Sequence, residues 1–222
     1  MTSSPERGSV RVDLNISLDG FATTTDQTPE NPMGADWQRL VDAYASTRTF
    51  RARVLGDTSG EGTTGVDDRY AAAYFEDVGA EVMGAGMFGL HDFPDDPDWR
   101  GWWGDEPPFH CPVFVLTHTP RDSIEMAGGT TFHFVSEPPA AALERAHAAA
   151  GGRDVRVGGG ITVVRDFLLA GLVDRLHVAI APILLGRGIR LWDDLRGLEN
   201  DYRVTVESAP SQVTHVTFRR DH

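Results

Sequence analysis

Apolar and polar residues alternate strictly from Val10 to Ser17: Val10, Val12, Leu14 and Ile16 against Arg11, Asp13, Asn15 and Ser17. A period of two predicts a first β-strand, ended by Leu18-Asp19-Gly20. Residues 22–34 are small, polar and proline-containing, and read as a loop. Trp37, Leu40, Val41 and Tyr44 recur at helical spacing, with Asp36 placed as an N-cap. Residues 55–65, rich in glycine, threonine and acid, read as a mobile loop, and Asp67 to Asp77 as a helix. Glu81-Val82-Met83 reads as a short buried strand that stops at Gly84. Residues 89–112 show no period and carry Trp99, Trp102, Trp103 and Phe109; a structureless stretch of that length is usually functional. Strands are predicted over Pro112 to Thr117 and Thr130 to Val135, then a helix over Pro138 to Ala150. A strand over Val155 to Val157, a helix over Ile161 to Ala170 and a strand over Arg175 to Pro182 follow. Arg203 to Ser208 and Gln212 to Arg219 read as an antiparallel pair joined around Pro210. Strands alternating with helices predict an open α/β sheet with right-handed crossovers, in a single domain over 1–222.

Composition narrows the partners. The formal net charge is −13, which repels nucleic acid and anionic membranes at long range. A single cysteine, Cys111, excludes an intrachain disulfide and a cysteine-built metal site, and fits a reducing cytoplasm. Met1 to Ser9 carry no apolar signal core, and no apolar run approaches membrane-spanning length.

The candidate chemistry centres on Asp154-Val155-Arg156-Val157-Gly158-Gly159-Gly160-Ile161-Thr162, a strand running into three glycines and then a helix. Glycines leave no side chain between the backbone and a ligand. The helix behind them aims its free N–H groups and positive dipole end at the same spot. Such a turn suits a phosphate or pyrophosphate; it also suits a tight strand-to-helix connection with no ligand.

Four segments, in order, resemble the dihydrofolate reductase-like proteins related to the reductase domain of bacterial riboflavin-biosynthesis deaminase/reductases. They are Ile16-Ser17-Leu18-Asp19-Gly20-Phe21-Ala22, Val82-Met83-Gly84-Ala85-Gly86-Met87-Phe88 and Val113-Phe114-Val115-Leu116-Thr117-His118-Thr119. The fourth is Val157-Gly158-Gly159-Gly160, continued by Gly171-Leu172-Val173-Asp174 and Ala181-Pro182-Ile183-Leu184-Leu185-Gly186-Arg187-Gly188. The resemblance implies a mostly parallel sheet flanked by helices, with NADPH as cofactor. Gly158, Gly159, Gly160, Ile161 and Thr162 would wrap the pyrophosphate, with a cis peptide in the glycine pair. The turn at Gly84 would touch the phosphates, but Ala85 stands where the family carries arginine. Thr117, His118 and Thr119, with Arg121 close by, would meet the 2′-phosphate.

The same resemblance puts Asp19-Gly20 beside the nicotinamide. Gly20 would leave room for close approach. Asp19 would orient the substrate or relay a proton, unless it only bonds its own turn. Trp102 and Trp103 would stack on a planar heterocycle, or else pack the loop or a dimer contact. A homodimer is implied, with Leu176, Val178, Ile180, Pro182, Ile183 and Leu184 on a shared face or, alternatively, on a strand buried on both sides. The His-x-Glu and Pro-Cys-x-x-Cys elements of a zinc deaminase are incomplete, so a stand-alone reductase without metal is expected. That reductase would pass a hydride to a C=N or C=O of a small pteridine- or pyrimidine-like heterocycle. A flavin-dependent reductase and a binding protein that has lost turnover are the competing readings; Ala85 favours the latter.

Overall fold

The computed structural model describes residues 7–23, 26–28, 31, 33–90 and 98–221. The start of the chain read as free of a signal core, parts of the loop read over 22–34 and residues 91–97 of the aperiodic stretch lie outside the described residues. In chain order the elements are β1 (Val10–Ser17), β2 (Phe21–Thr23), α1 (Trp37–Ala45), α2 (Arg48–Val54), α3 (Val66–Phe75), β3 (Val78–Gly84), α4 (Ala85–Phe88), β4 (Pro112–Leu116), β5 (Ile124–Glu125), β6 (Thr131–Val135), α5 (Pro139–Ala150), β7 (Asp154–Gly159), α6 (Ile161–Leu169), β8 (Arg175–Ala181), β9 (Ile189–Arg190), β10 (Arg203–Ser208) and β11 (Thr214–Arg219). The fold is α/β, with a mostly parallel sheet flanked by helices and an antiparallel pair of C-terminal strands.

The backbone forms two compact units: one from the chain up to Val12 with Asp77–Arg175, the other from Asp13–Glu76 with Leu176 onward. In the first unit the strand order is β1-β7-β3-β4-β6-β5. β7 pairs in parallel with β1 and β3, β3 with β4, and β4 with β6; only the short β5 runs antiparallel. Helices cover this sheet, so its strands are apolar almost throughout. Ala80, Val82, Val113, Val115, Val155 and Val157 have no exposed surface. α5 presses its end onto β3 at Gly79, where a Cβ would come 2.5 Å from the Ala150 carbonyl oxygen. It stops at Gly151, which takes the left-handed conformation (φ 63°) that favours glycine.

In the second unit the order is β10-β11-β8-β1. β10 and β11 pair in antiparallel register from Arg203↔Arg219 to Ser208↔Thr214. Leu40 and Val41 of α1 pack with Ala181, flanked by Trp37, Ala45, Ile183 and Leu185. Asp36 occupies the N-cap position of α1 but bonds no helix N–H. Its carboxylate is taken by Arg39 and by a fork from Arg187, at 2.9 and 2.7 Å. α2 was not legible in the pattern, because Phe50 is its only buried residue. β1 departs from its alternating pattern in a useful way. Arg11 is buried beside Val10 and Val12, so the strand's polar positions need partners rather than water.

Candidate functional site

Parallel strands end on the same edge of their sheet, and three turns of interest share that edge in the first unit. Register places Met83 opposite Gly159 and Gly84 opposite Leu116. Gly84, the Thr117 turn and the glycine turn are therefore neighbours. A Cβ on Gly84 would lie 3.6 Å from the Gly160 nitrogen and 2.8 Å from the Val163 side chain, so Gly84 is glycine to let α6 approach. Residues from all three predicted cofactor segments are brought together: Gly84, Thr117, His118, Thr119, and Gly158 through Thr162.

The three glycines have different reasons to be glycine. A Cβ on Gly158 would sit 2.2 Å from Glu81 Oε1. Gly159 has φ 142°, closed to ordinary side chains, and would meet Met87 Sδ at 3.1 Å. A Cβ on Gly160 would meet nothing within 4 Å, so there the protein itself makes no demand. The Gly159–Gly160 peptide is cis, as the resemblance implied. Gly160 is the N-cap of α6 and offers no side chain to its N–H groups. The first bond of that helix turn runs from Val164 N to Gly160 O. The N–H groups of Ile161, Thr162 and Val163 accordingly stay idle, at the positive end of a helix whose Thr162 is exposed. Open space over Gly160 and three idle donors fit an anionic phosphate.

Thr117 is buried, and its Oγ1 accepts a bond from Thr119 N at 3.1 Å. That local turn lifts His118 and Thr119 into solvent. Arg121 is engaged elsewhere. Its guanidinium lies 4.4 Å from the Phe134 ring centroid, and Nη2 donates to the Trp99 carbonyl. His118 and Thr119, not Arg121, are the exposed donors of this turn.

Asp19 and Gly20 belong to the second unit. Asp19 accepts bonds from Ser17 Oγ (2.6 Å), Leu185 N (3.1 Å) and Gly186 N (2.8 Å). These donors, Ser17 first, hold its carboxyl at about 2, so at neutral pH it is an anion with no proton to give. This corrects the proton-relay expectation: Asp19 fastens the Leu185-Gly186 backbone to the end of β1. Gly20 is glycine because the turn takes φ 88°, with its N–H bonded to Ser17 O at 2.9 Å.

Trp102 and Trp103 are half-buried and packed on protein in the first unit. Trp103 stacks on Phe132 (interplanar 21°) and meets Phe109 edge to face. Trp102 meets Trp99 edge to face at 4.5 Å and rests on Gly89, where any Cβ would strike its ring at 2.6 Å. The tryptophans anchor the aperiodic stretch on the core of Met83, Phe88, Val113, Val115, Phe132 and Phe134. Leu176 and Val178 are wholly buried, so they belong to the core and not to a shared face.

Glu81 was read only as part of a strand. It is fully buried, with Oε2 forked by Arg156 (Nε at 2.9 Å, and Nη2) and Oε1 without a partner. Burial pushes its carboxyl above the usual range, against the pull of Arg156 and then Arg11. The sequence hint was a charged residue inside an apolar strand of a parallel sheet, which requires a buried counter-charge. Among the described residues no group of three or more His, Cys, Asp or Glu is placed to hold a metal ion, and no helix is long and apolar enough to cross a membrane.

This architecture, with its strand-end turns, is that of a dihydrofolate reductase-like α/β protein. The chain belongs to the RibD C-terminal domain family, whose pattern matches residues 9–215. A putative riboflavin biosynthesis protein from Shewanella sp. PV-4 is similar over 96% of this chain and 99% of its own, with 22% identity and a TM-score of 0.59. Dihydrofolate reductase from Enterococcus faecalis, complexed with NADP(H), is similar over 98% and 99% of the two chains, at 12% identity and a TM-score of 0.51. The diaminohydroxyphosphoribosylaminopyrimidine deaminase/5-amino-6-(5-phosphoribosylamino)uracil reductase of Thermotoga maritima shares 14% identity at a TM-score of 0.54. The likeness covers 97% of this chain but 57% of that protein. No curated protein matches the sequence.

Proposed function

We propose that residues 1–222 act as one NADPH-dependent reductase domain acting on a small pteridine- or pyrimidine-like heterocycle. The observation that carries this reading is the row of idle N–H groups on Ile161, Thr162 and Val163 beside the open face of Gly160. Family membership and the NADP(H)-bound dihydrofolate reductase neighbour support the choice of cofactor. When bound, the reduced nicotinamide would supply a hydride to a C=N or C=O of the substrate. The chain's part is to hold and orient. The α6 N-terminus and Gly160 receive the pyrophosphate, Gly84 keeps the adjoining turn tight, and His118 with Thr119 donates to the 2′-phosphate. The proton comes from solvent, since Asp19 is committed as an anion to its turn. Trp102 and Trp103 wall the first unit, where their half-exposed rings offer a stacking surface.

A titration of NADPH followed by tryptophan fluorescence tests the cofactor. Loss of NADPH absorbance with phosphoribosylated aminouracils and dihydropteridines tests the reaction. Binding without turnover on any heterocycle favours the reading as a ligand-binding protein, which Ala85 supports by leaving the phosphate turn without its cation. We also propose a cytoplasmic homodimer. The exposed Leu18, Leu184, Val204 and Val206 of the second unit offer the apolar surface. Sedimentation at micromolar concentration checks it, and a monomer rules it out.

A further inference from the structure

A buried polar chain in the second unit plays no part in the proposed site. His177 Nε2 lies 3.0 Å from His215 Nδ1, and both rings are almost wholly buried. At the far side of His215, Nε2 lies 2.9 Å from Asp67 Oδ1. At the far side of His177, Nδ1 lies 3.3 Å from Asp13 Oδ1. The tyrosine ring of Tyr70 covers both imidazoles, its centroid 4.2 Å from each and within 6° of parallel. The chain thus runs from Asp13 of β1 through His177 of β8 and His215 of β11 to Asp67 in the first turn of α3.

Counting protons decides its charge. Three contacts in a row, each between two heavy atoms with lone pairs, need three protons to be hydrogen bonds. Two neutral imidazoles carry only two. With two, either the nitrogens of His177 and His215 face each other lone pair to lone pair, or a carboxylate loses its donor. Each is costly where water cannot enter. We propose that Asp13, His177, His215 and Asp67 bind a single extra proton between the two imidazoles, and that this proton clasps α3 onto β1, β8 and β11.

The surrounding charges fit one proton and refuse a second. The rings face Asp13 from β1, Asp67, Arg69 and Tyr70 from α3, and Glu207 from β10, which is directly opposite His215 in register. Arg69 pairs with Glu207, removing most of that carboxylate's claim on the rings. Asp13 and Asp67 together stabilise one imidazolium. Tyr70 offers its π-face to the same cation. Burial, first, and the neighbouring His177 push His215 below the ordinary histidine range, against the pull of Asp67. A doubly charged pair is therefore disfavoured, and the two rings titrate as a unit in separated steps.

The linkage has two signs. The shared proton is held more tightly in the folded state, so its stabilisation is present below the unfolded histidine pKa and lost as pH rises through the folded value. The second proton is bound more weakly in the folded state, so stability also falls as pH drops below the unfolded value. The clasp is strongest between these limits.

Nitrogen-15 NMR of the histidine-labelled full chain reads the ring nitrogens directly, with His177→Gln and His215→Gln used for assignment. At pH 7 the expected spectrum shows three protonated nitrogens among the four of His177 and His215, with the proton lost above the midpoint of free imidazole. Two neutral rings at pH 7, or two independent titrations at the free-imidazole midpoint, overturn the proposal. Denaturant unfolding of the wild type should trace a bell between pH 5 and pH 9. Asp67→Asn, whose amide can itself donate, should lose the alkaline limb of the bell. Identical profiles for wild type and Asp67→Asn also overturn it.

Discussion

The turn at Gly158–Thr162 and the turn at Ser17–Gly20 both close a strand, and both were read as parts of one site. Their polar groups are treated in opposite ways. At the first, the N–H groups of Ile161, Thr162 and Val163 have no acceptor and the space over Gly160 is open. At the second, Asp19 is met by Ser17, Leu185 and Gly186. A turn with idle donors is unfinished until a ligand arrives. A carboxylate surrounded by protein donors has already spent its hydrogen-bonding capacity on the fold. Glycine alone does not distinguish these cases. Gly20 serves a positive φ and Gly158 makes room for Glu81, whereas Gly160 satisfies no need of the protein.

The sharpest way to break the comparison is Gly158→Ala. Its methyl group would displace a fully buried carboxylate from Arg156, so a stability loss of about 2–3 kcal/mol is expected from denaturant unfolding. Wild-type stability would show that Glu81 moves aside freely. Gly160→Ala should do the reverse. Stability should stay within about 0.5 kcal/mol, while NADPH affinity in the fluorescence titration should fall by tenfold or more, about 1.4 kcal/mol. Unchanged affinity removes the pyrophosphate from this turn. Gly159 is a poorer place for the test, because its φ of 142° strains any replacement.

A smaller effect is expected from His118→Ala, which should narrow the preference for NADPH over NADH several-fold through loss of one charge-assisted bond. The single change is cleaner than a double one with Arg121, which holds Trp99 and Phe134. An unaltered ratio of the two affinities would place the 2′-phosphate elsewhere. The smallest effect at neutral pH belongs to Asp19→Asn. The folded carboxyl sits at about 2, below its ordinary value, so its contribution is present above the unfolded pKa and lost as pH falls through about 2. The variant should unfold with a shallower acid limb and bind NADPH as the wild type does. A large fall in turnover at pH 7 with its pH profile displaced would restore a proton-transfer role to Asp19.

Much of the fold was legible. β1, α1, α5, α6 and the C-terminal strand pair carry strong periods or capping glycines, and their boundaries fall within a residue or two of the pattern. β5 and α2 escaped because two-residue strands and helices with one buried side chain leave almost no periodic signal. The residues of the glycine turn, Gly84 and the Thr117 turn were also legible. Their neighbourhood was not, because it depends on which strands pair and in what register.

Local chemistry wrote into the sequence the strands, the helices, the glycine-rich junction and the family. Tertiary structure decided what each polar residue is for. Arg11 and Asp13 look like the solvent face of a two-period strand, yet β1 is covered on both sides, so Arg11 turns to Asp154 and Asp13 to His177. Glu81 looks like an interruption in an apolar strand, and only the pairing of β3 with β7 supplies Arg156. His177 and His215 are 38 residues apart and meet only through the packed sheet. Period and composition report which surfaces avoid water; a buried charge or a shared proton depends on partners that the folded chain alone brings within reach.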